Sequence, residues 1–403
     1  MEDKKQVSVT REYFGPLYPY IEDDEITDVD FDGKRLWVTD CSNHRYVVEG
    51  EHLGREFVEE FTKRVANTVS KPFHKQSPVL EAETDTLRIT IVHESVALSG
   101  RAICIRKSPP FVRLTLEKML QEGYCDQRTH DLIRDCVRAK MNLIFCGEPG
   151  VGKTECAKYF SQFIPEDQRV ITIEDNPEWH YDQIAPGSDC VSLRISPVMD
   201  YTKAIKTCLR LNPKWMMVSE VRSKEVCYLM EGFSTGVRGM TTLHTDDIRK
   251  IPDRIINMAG SQISPERMEN DVYSFIDCGI LIRQGMRKDA DGCMKLRRYI
   301  DQVGFFSREQ GENSCCLIVD RGEWTGEEVP EYVQVKAGAQ KTFEIYQDIA
   351  APFAMVAEEK VEYKADCKTD CKTVDLDDME KEFIRKTKEG VTYLGKGRES
   401  VIG

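Results

Sequence analysis

The sequence has no long apolar run. A membrane-spanning helix needs about 20 consecutive apolar residues, and no stretch of the 403-residue chain approaches that. The opening, MEDKKQVSVTREYF, lacks the apolar core of a secretory signal. Positive charge is in short supply: 56 Lys and Arg face 69 Asp and Glu, a net −13, and residues 1–60 hold 16 acids against 7 bases. That balance disfavours a nucleic-acid footprint in the first part of the chain. A disulfide framework is missing too. The 15 cysteines are odd in number and dispersed, several inside apolar runs (Cys104, Cys146, Cys208), which suits buried thiols in a reducing compartment. Cys367 and Cys371 have three residues between them, but no second pair or nearby His completes a tetrahedral zinc set. No internal repeat is evident.

What is present is an ordinary balance of 40% hydrophobic and 31% charged residues, in a chain long enough for two or three domains. Residues 1–108 alternate short β-like runs (RLWVTD, LRITIVH) with one helical segment, REFVEEFTKRVANTV, which reads as a small α+β domain. KSPPFVR reads as a hinge, because Pro109 and Pro110 break regular structure. Residues 109–352 alternate strand-like and helix-like segments, the pattern of an α/β domain. Residues 353–403 are highly charged and read as a helical or partly disordered tail.

The chemistry centres on NLIFCGEPGVGKTECAKYF. Leu143, Ile144 and Phe145 suggest a buried strand; Ala157, Phe160 and Ile164 follow at helical spacing. Between them, Gly147-Glu-Pro-Gly150-Val151-Gly152-Lys153-Thr154 matches G-x-x-x-x-G-K-[ST]. Glycines let the backbone curl so that its N–H groups face phosphate oxygens, and the helix N-terminus favours an anion. Lys153 would neutralise the outer phosphates and Thr154 would ligate magnesium. The spacing predicts a nucleotide site, with Glu155 continuing into the helix.

Binding is not hydrolysis, which needs a carboxylate to hold magnesium's shell or orient water. Two apolar runs end in acids: Val170–Ile173 before Glu174 and Asp175, and Met216–Val218 before Glu220. Strand ends are where open α/β sheets bind ligands, although acids there also serve solubility. A third run, GMTTLHTDD, ends at His244, a candidate γ-phosphate sensor or simply a structural histidine. Arg101, Arg106, Arg194, Arg210 and Arg222 are candidate cations for the phosphates, and each is by default a surface residue.

The order of phosphate loop, TIEDNPE, LRLNP with VSEVR, and TGVRGMTTLHT resembles the secretion ATPase superfamily of type II and type IV secretion and type IV pilus assembly. YFGPLYPYIEDDEITDVDFDG and SGRAICIRKSP are similar to its tight-adherence (Tad/Flp) pilus branch and conjugative type IV relatives. The resemblance covers about residues 10–310. It implies a RecA-like P-loop ATPase domain preceded by a smaller α+β N-terminal domain, using ATP and Mg2+. Lys153 and Thr154 become Walker A residues, Glu174 part of the Asp box, Glu220 the Walker B carboxylate and His244 the His-box histidine; Thr154, Glu174 and Glu220 are the expected metal ligands. Arg106 becomes a phosphate-proximal arginine, read here as acting between subunits, with Arg222 serving from the motor domain. Such proteins are cytoplasmic hexamers, peripheral to the inner face of the membrane through secretion or pilus platform proteins. Ser219 stands where the family usually has glycine, and Gly236-Val237 where it has Gly-His. The rival reading is a RecA-like motor translocating nucleic acid.

Overall fold

The computed structural model describes residues 7–50, 52–288, 292 and 294–336. The expected tail (353–403), Cys367, Cys371 and the end of the second expected domain lie outside these. Two sheets organise the chain.

The first is antiparallel and six-stranded, in the order β3-β2-β1-β6-β5-β4. Its strands are β1 (Ile26–Phe31), β2 (Leu36–Asp40), β3 (Arg45–Val47), β4 (Val79–Glu83), β5 (Leu87–Val92) and β6 (Ala102–Lys107). Alternation decides which face is covered. Leu87, Ile89 and Ile91 of β5, with Ile103 and Ile105 of β6, are buried. They pack with Val58, Phe61 and Val65 from one stripe of the helix Arg55–Thr68. The opposite face is polar: Asp28, Asp30, Arg88 and Arg106 occupy the intervening positions and line a cleft.

The second sheet has nine strands, in the order β15-β14-β13-β12-β7-β11-β10-β8-β9. They are β7 (Leu143–Cys146), β8 (Val170–Glu174), β9 (Cys190–Arg194), β10 (Trp215–Val218), β11 (Arg238–Leu243), β12 (Cys278–Lys288), β13 (Met294–Glu309), β14 (Glu312–Asp320) and β15 (Glu323–Trp324). From β12 to β9 neighbouring strands run parallel; β13, β14 and β15 extend the sheet antiparallel. Both faces of β7 and β10 are covered, so these strands read as unbroken apolar runs. Leu143, Phe145, Trp215 and Met217 face one core with Phe160 and Ile133. Ile144, Cys146, Met216 and Val218 face the other with Ile205 and Phe233. The helix after the phosphate loop spans Lys153–Ser161, so Ile164, expected on it, lies past its end and is buried in the connection to β8.

The Pro109–Pro110 segment, read as a hinge, is hydrogen-bonded on both sides. The fully buried Lys158 donates to the Pro109 carbonyl at 2.7 Å. Glu155 accepts the Arg113 backbone N–H at 2.6 Å. Ser108 donates to the Pro177 carbonyl at 2.7 Å, while the His180 ring nitrogen Nε2 lies 2.9 Å from the Ser108 carbonyl. The segment is therefore fastened to the phosphate-loop helix and to the loop after β8.

Candidate functional site

The cleft, of about 740 Å3, lies between the polar face of the first sheet and the C-terminal ends of the parallel strands. Its floor is the phosphate loop after β7. Gly147 has φ +146°, and a Cβ there would run into the Ile282 carbonyl and sit 2.9 Å from the Val151 side chain. Gly152, at φ +87°, makes the left-handed turn into the helix. The first-turn N–H groups at Lys153, Thr154 and Glu155 have no intrahelical acceptor and open a site for an anion.

Lys153 Nζ bonds the Glu148 carbonyl at 3.0 Å and lies 3.2 Å from His244 Nδ1. His244 Nε2 is 2.9 Å from Glu220 Oε1. Burial, with Lys153 close by, lowers the His244 pKa and favours the neutral ring. His244 Nδ1 also lies 3.2 Å from the Gly147 carbonyl, so the ring bridges Lys153, Gly147 and Glu220. Burial also lowers the pKa of Lys153, an effect the Glu220 carboxylate opposes. Arg222 reaches Glu220 Oε2 with Nε at 2.8 Å and Nη2 at 2.6 Å, and lies 3.7 Å from Asp175. The structure thus brings Lys153, Glu220, His244 and Arg222 into one hydrogen-bonded chain.

It sets Glu174 apart, and here the sequence-based placement is corrected. Glu174 is the last residue of β8, and its side chain turns under the following loop instead of into the cleft. Its Oε2 accepts the backbone N–H groups of Glu178 (2.8 Å) and Trp179 (3.0 Å). Burial pushes its pKa up to about 7, against the lowering effect of those two N–H groups. The acid that lines the cleft by the phosphate loop is Glu178, with the Thr154 hydroxyl nearby. Burial raises its pKa, and Asp175 and Glu220 nearby add to the rise. Glu178 stands in the TIEDNPE segment but past the strand end, where no periodicity marks it. The carboxylate of Glu155, which also lines the cleft, accepts the Arg113 backbone N–H.

Arg106 does line the cleft of its own chain, bonded to Asp28 at 2.8 Å and close to Glu178. Arg101 does not: it forks onto Glu94 (2.9 and 3.0 Å) on the far side of the first sheet, and Arg194 pairs with Glu83. Arg210 is not among the lining residues. Sequence reasoning missed Arg45, Arg88, Arg113 and Arg298, all of which line the cleft. Arg298 lies on β13, far from any motif.

Comparison with known proteins places this geometry. The family model described as "Type II/IV secretion system protein" matches residues 79–349. An uncharacterised protein of Bacillus anthracis is 27% identical over 292 residues, 71% of this chain and 66% of that relative, just under two thirds of its length. The type IV secretion system protein VirB11 of Brucella suis is 25% identical over 339 residues, 75% of this chain and 91% of VirB11. Among solved structures, the pilus retraction motor PilT with bound ADP superposes with a TM-score of 0.54 at 17% identity, covering 82% of this chain and 88% of PilT. The ATPase DotB of Yersinia pseudotuberculosis gives 0.54 at 16%, covering 70% and 75%.

Proposed function

The chain belongs to the type II/IV secretion system protein family, as a P-loop ATPase with a RecA-like domain behind a smaller α+β domain, and from this premise we propose that its ATP hydrolysis powers secretion or pilus assembly through a membrane complex. The convergence of Lys153, Glu178, Glu220 and His244 above the phosphate loop carries the reading. In it, Lys153 and the loop N–H groups hold the outer phosphates. Glu220 or Glu178 orients the attacking water, and His244 ties Lys153 to Glu220, so that the occupant of one is felt by the other. Arg106 and Arg222 supply positive charge from opposite walls of the cleft.

Magnesium fits the donor set: the Thr154 hydroxyl and the Glu178 and Glu220 carboxylates are hard oxygen donors lining one cleft. Thr154 and Glu220 would hold it, whereas Glu174, expected among the ligands, is occupied by loop N–H groups. Bound there, the ion would neutralise phosphate charge.

No helix among the described residues is long and apolar enough to cross a membrane. We place the chain on the cytoplasmic face of the inner membrane, held by platform proteins and assembled as a homo-hexamer, in keeping with the family. On the motifs in its N-terminal segment, we place it beside the tight-adherence branch.

The test uses purified full-length protein. Wild type should hydrolyse ATP with magnesium, and Lys153→Ala should lose at least about a thousandfold in turnover while melting like wild type. In the source cell, the same variant should fail to restore secretion or pilus formation to a deletion strain. Turnover that rises steeply with single-stranded DNA, in a chain dispensable for secretion and pili, would point to the nucleic-acid motor instead.

A further inference from the structure

The Glu220–His244–Lys153 chain marks one end of the cleft, where a terminal phosphate would sit. The other end holds two arginines with no role so far. Arg298 reaches across from β13: its Nη2 donates to the Gly150 carbonyl at 3.0 Å, and its guanidinium packs against Gly152, 3.6 Å from where a Cβ would be. Arg113 is held from the other side by its own backbone N–H on Glu155. Both side chains line the cleft. Neither guanidinium has a carboxylate partner among the described residues.

Their donors are also left over. Nε and Nη2 of Arg113 and Nε of Arg298 are buried and have no hydrogen-bond partner. A buried donor without an acceptor costs about 1–3 kcal/mol, and more when charged, so proteins seldom keep three together. Burial, with Arg113 nearby, disfavours the charge on Arg298. Arginine pairs with this much unused donor capacity match a phosphate, whose oxygens accept from two guanidinium groups at once. Position identifies the anion. Gly150, Gly152 and Glu155 bracket the inner side of the phosphate loop, away from Glu220 and His244, so a nucleotide with its terminal phosphate at Lys153 carries its first phosphate toward these arginines.

Building on the nucleotide-binding reading, we propose that Arg113 and Arg298 form an anion clamp for the phosphate nearest the nucleoside, the one that ATP and ADP share. The clamp serves affinity and is blind to the γ-phosphate. A bond from a charged donor sets the scale of each arm at about tenfold to a hundredfold in affinity.

The experiment titrates full-length wild type, Arg113→Ala, Arg298→Ala and the two Gln variants with ADP and with ATP by calorimetry, and measures steady-state turnover. The clamp predicts that each variant weakens ADP and ATP by the same factor, raises KM by that factor, and leaves kcat at saturating ATP within about twofold. Lys at either position should restore part of the affinity, because the charge returns without the fork. The Gln variants keep most of the stem and an uncharged amide, so they decide the matter if the Ala forms do not fold. Weakening confined to ATP, a fall in kcat at constant KM, or unchanged affinity in folded variants each overturns the clamp. A wild type that binds neither nucleotide overturns the nucleotide reading along with it.

Discussion

Replacing Glu174 by Gln should stabilise the protein above neutral pH and leave it nearly unchanged in acid. Glu174 is buried, and its pKa stands at about 7 against 4.5 for the free side chain. Between those values the folded state holds a proton that the unfolded chain has released, so stability falls as pH rises through this window. The shift corresponds to roughly 3 kcal/mol by pH 8. Gln is nearly isosteric, and its amide oxygen can accept the same two N–H groups, so the variant escapes the cost of burying charge. The difference between variant and wild type should be close to zero at pH 4.5 and reach about 1–3 kcal/mol at pH 8. Urea titrations at the two pH values, followed by tryptophan fluorescence, would read it. ATP turnover should fall by less than about tenfold, because Glu178 stays in place. A variant no more stable at pH 8 than at pH 4.5 relative to wild type, and slowed a thousandfold, would refute this account and return Glu174 to the chemistry.

Glu220→Gln should bind ATP with near wild-type affinity and lose at least about a hundredfold in turnover, and Glu178→Gln should do the same; single-turnover assays would show which of the two is more severe. Mixing Arg106→Ala with Lys153→Ala subunits should restore no activity, because Arg106 lines the cleft of its own chain; recovery in confirmed mixed oligomers would establish action across an interface. Gly239→Ala should cost about 1–3 kcal/mol by overpacking, read as a lowered melting temperature, since its Cβ would lie 2.5 Å from the Met216 carbonyl oxygen and from the Phe233 ring.

Features governed by local rules were legible in the sequence. The phosphate loop, the strand before it and the helix after it follow from glycine spacing and apolar periodicity, and the acids after β8 and β10 were placed by the rule that ligands gather at strand ends. That rule does not say which way a side chain turns once its strand stops. Glu174, the last residue of β8, fell to the loop N–H groups, and Glu178, four residues on, took the position at Thr154. Arg113 and Arg298 line one cleft only because β13 extends the sheet back over the phosphate loop, a long-range pairing with no sequence period. The fastening of the Pro109–Pro110 segment was hidden for a related reason. Two prolines do break regular structure, but Lys158 and Glu155 grip the broken segment from a helix dozens of residues away.

That grip makes the site sensitive to load. Ser108 follows directly on β6 and is tied through His180 and Pro177 to the loop that carries Glu178. A pull on the first sheet would pass through Ser108 into the loop that carries Glu178 and through Pro109 into the phosphate-loop helix. Glu178 would be drawn away from Thr154 while Lys153, anchored on the Glu148 carbonyl, kept hold of the phosphates. Under tension the machine would stall with its fuel bound instead of spilling it. Its dwell time between steps would lengthen with force while its nucleotide occupancy stayed constant.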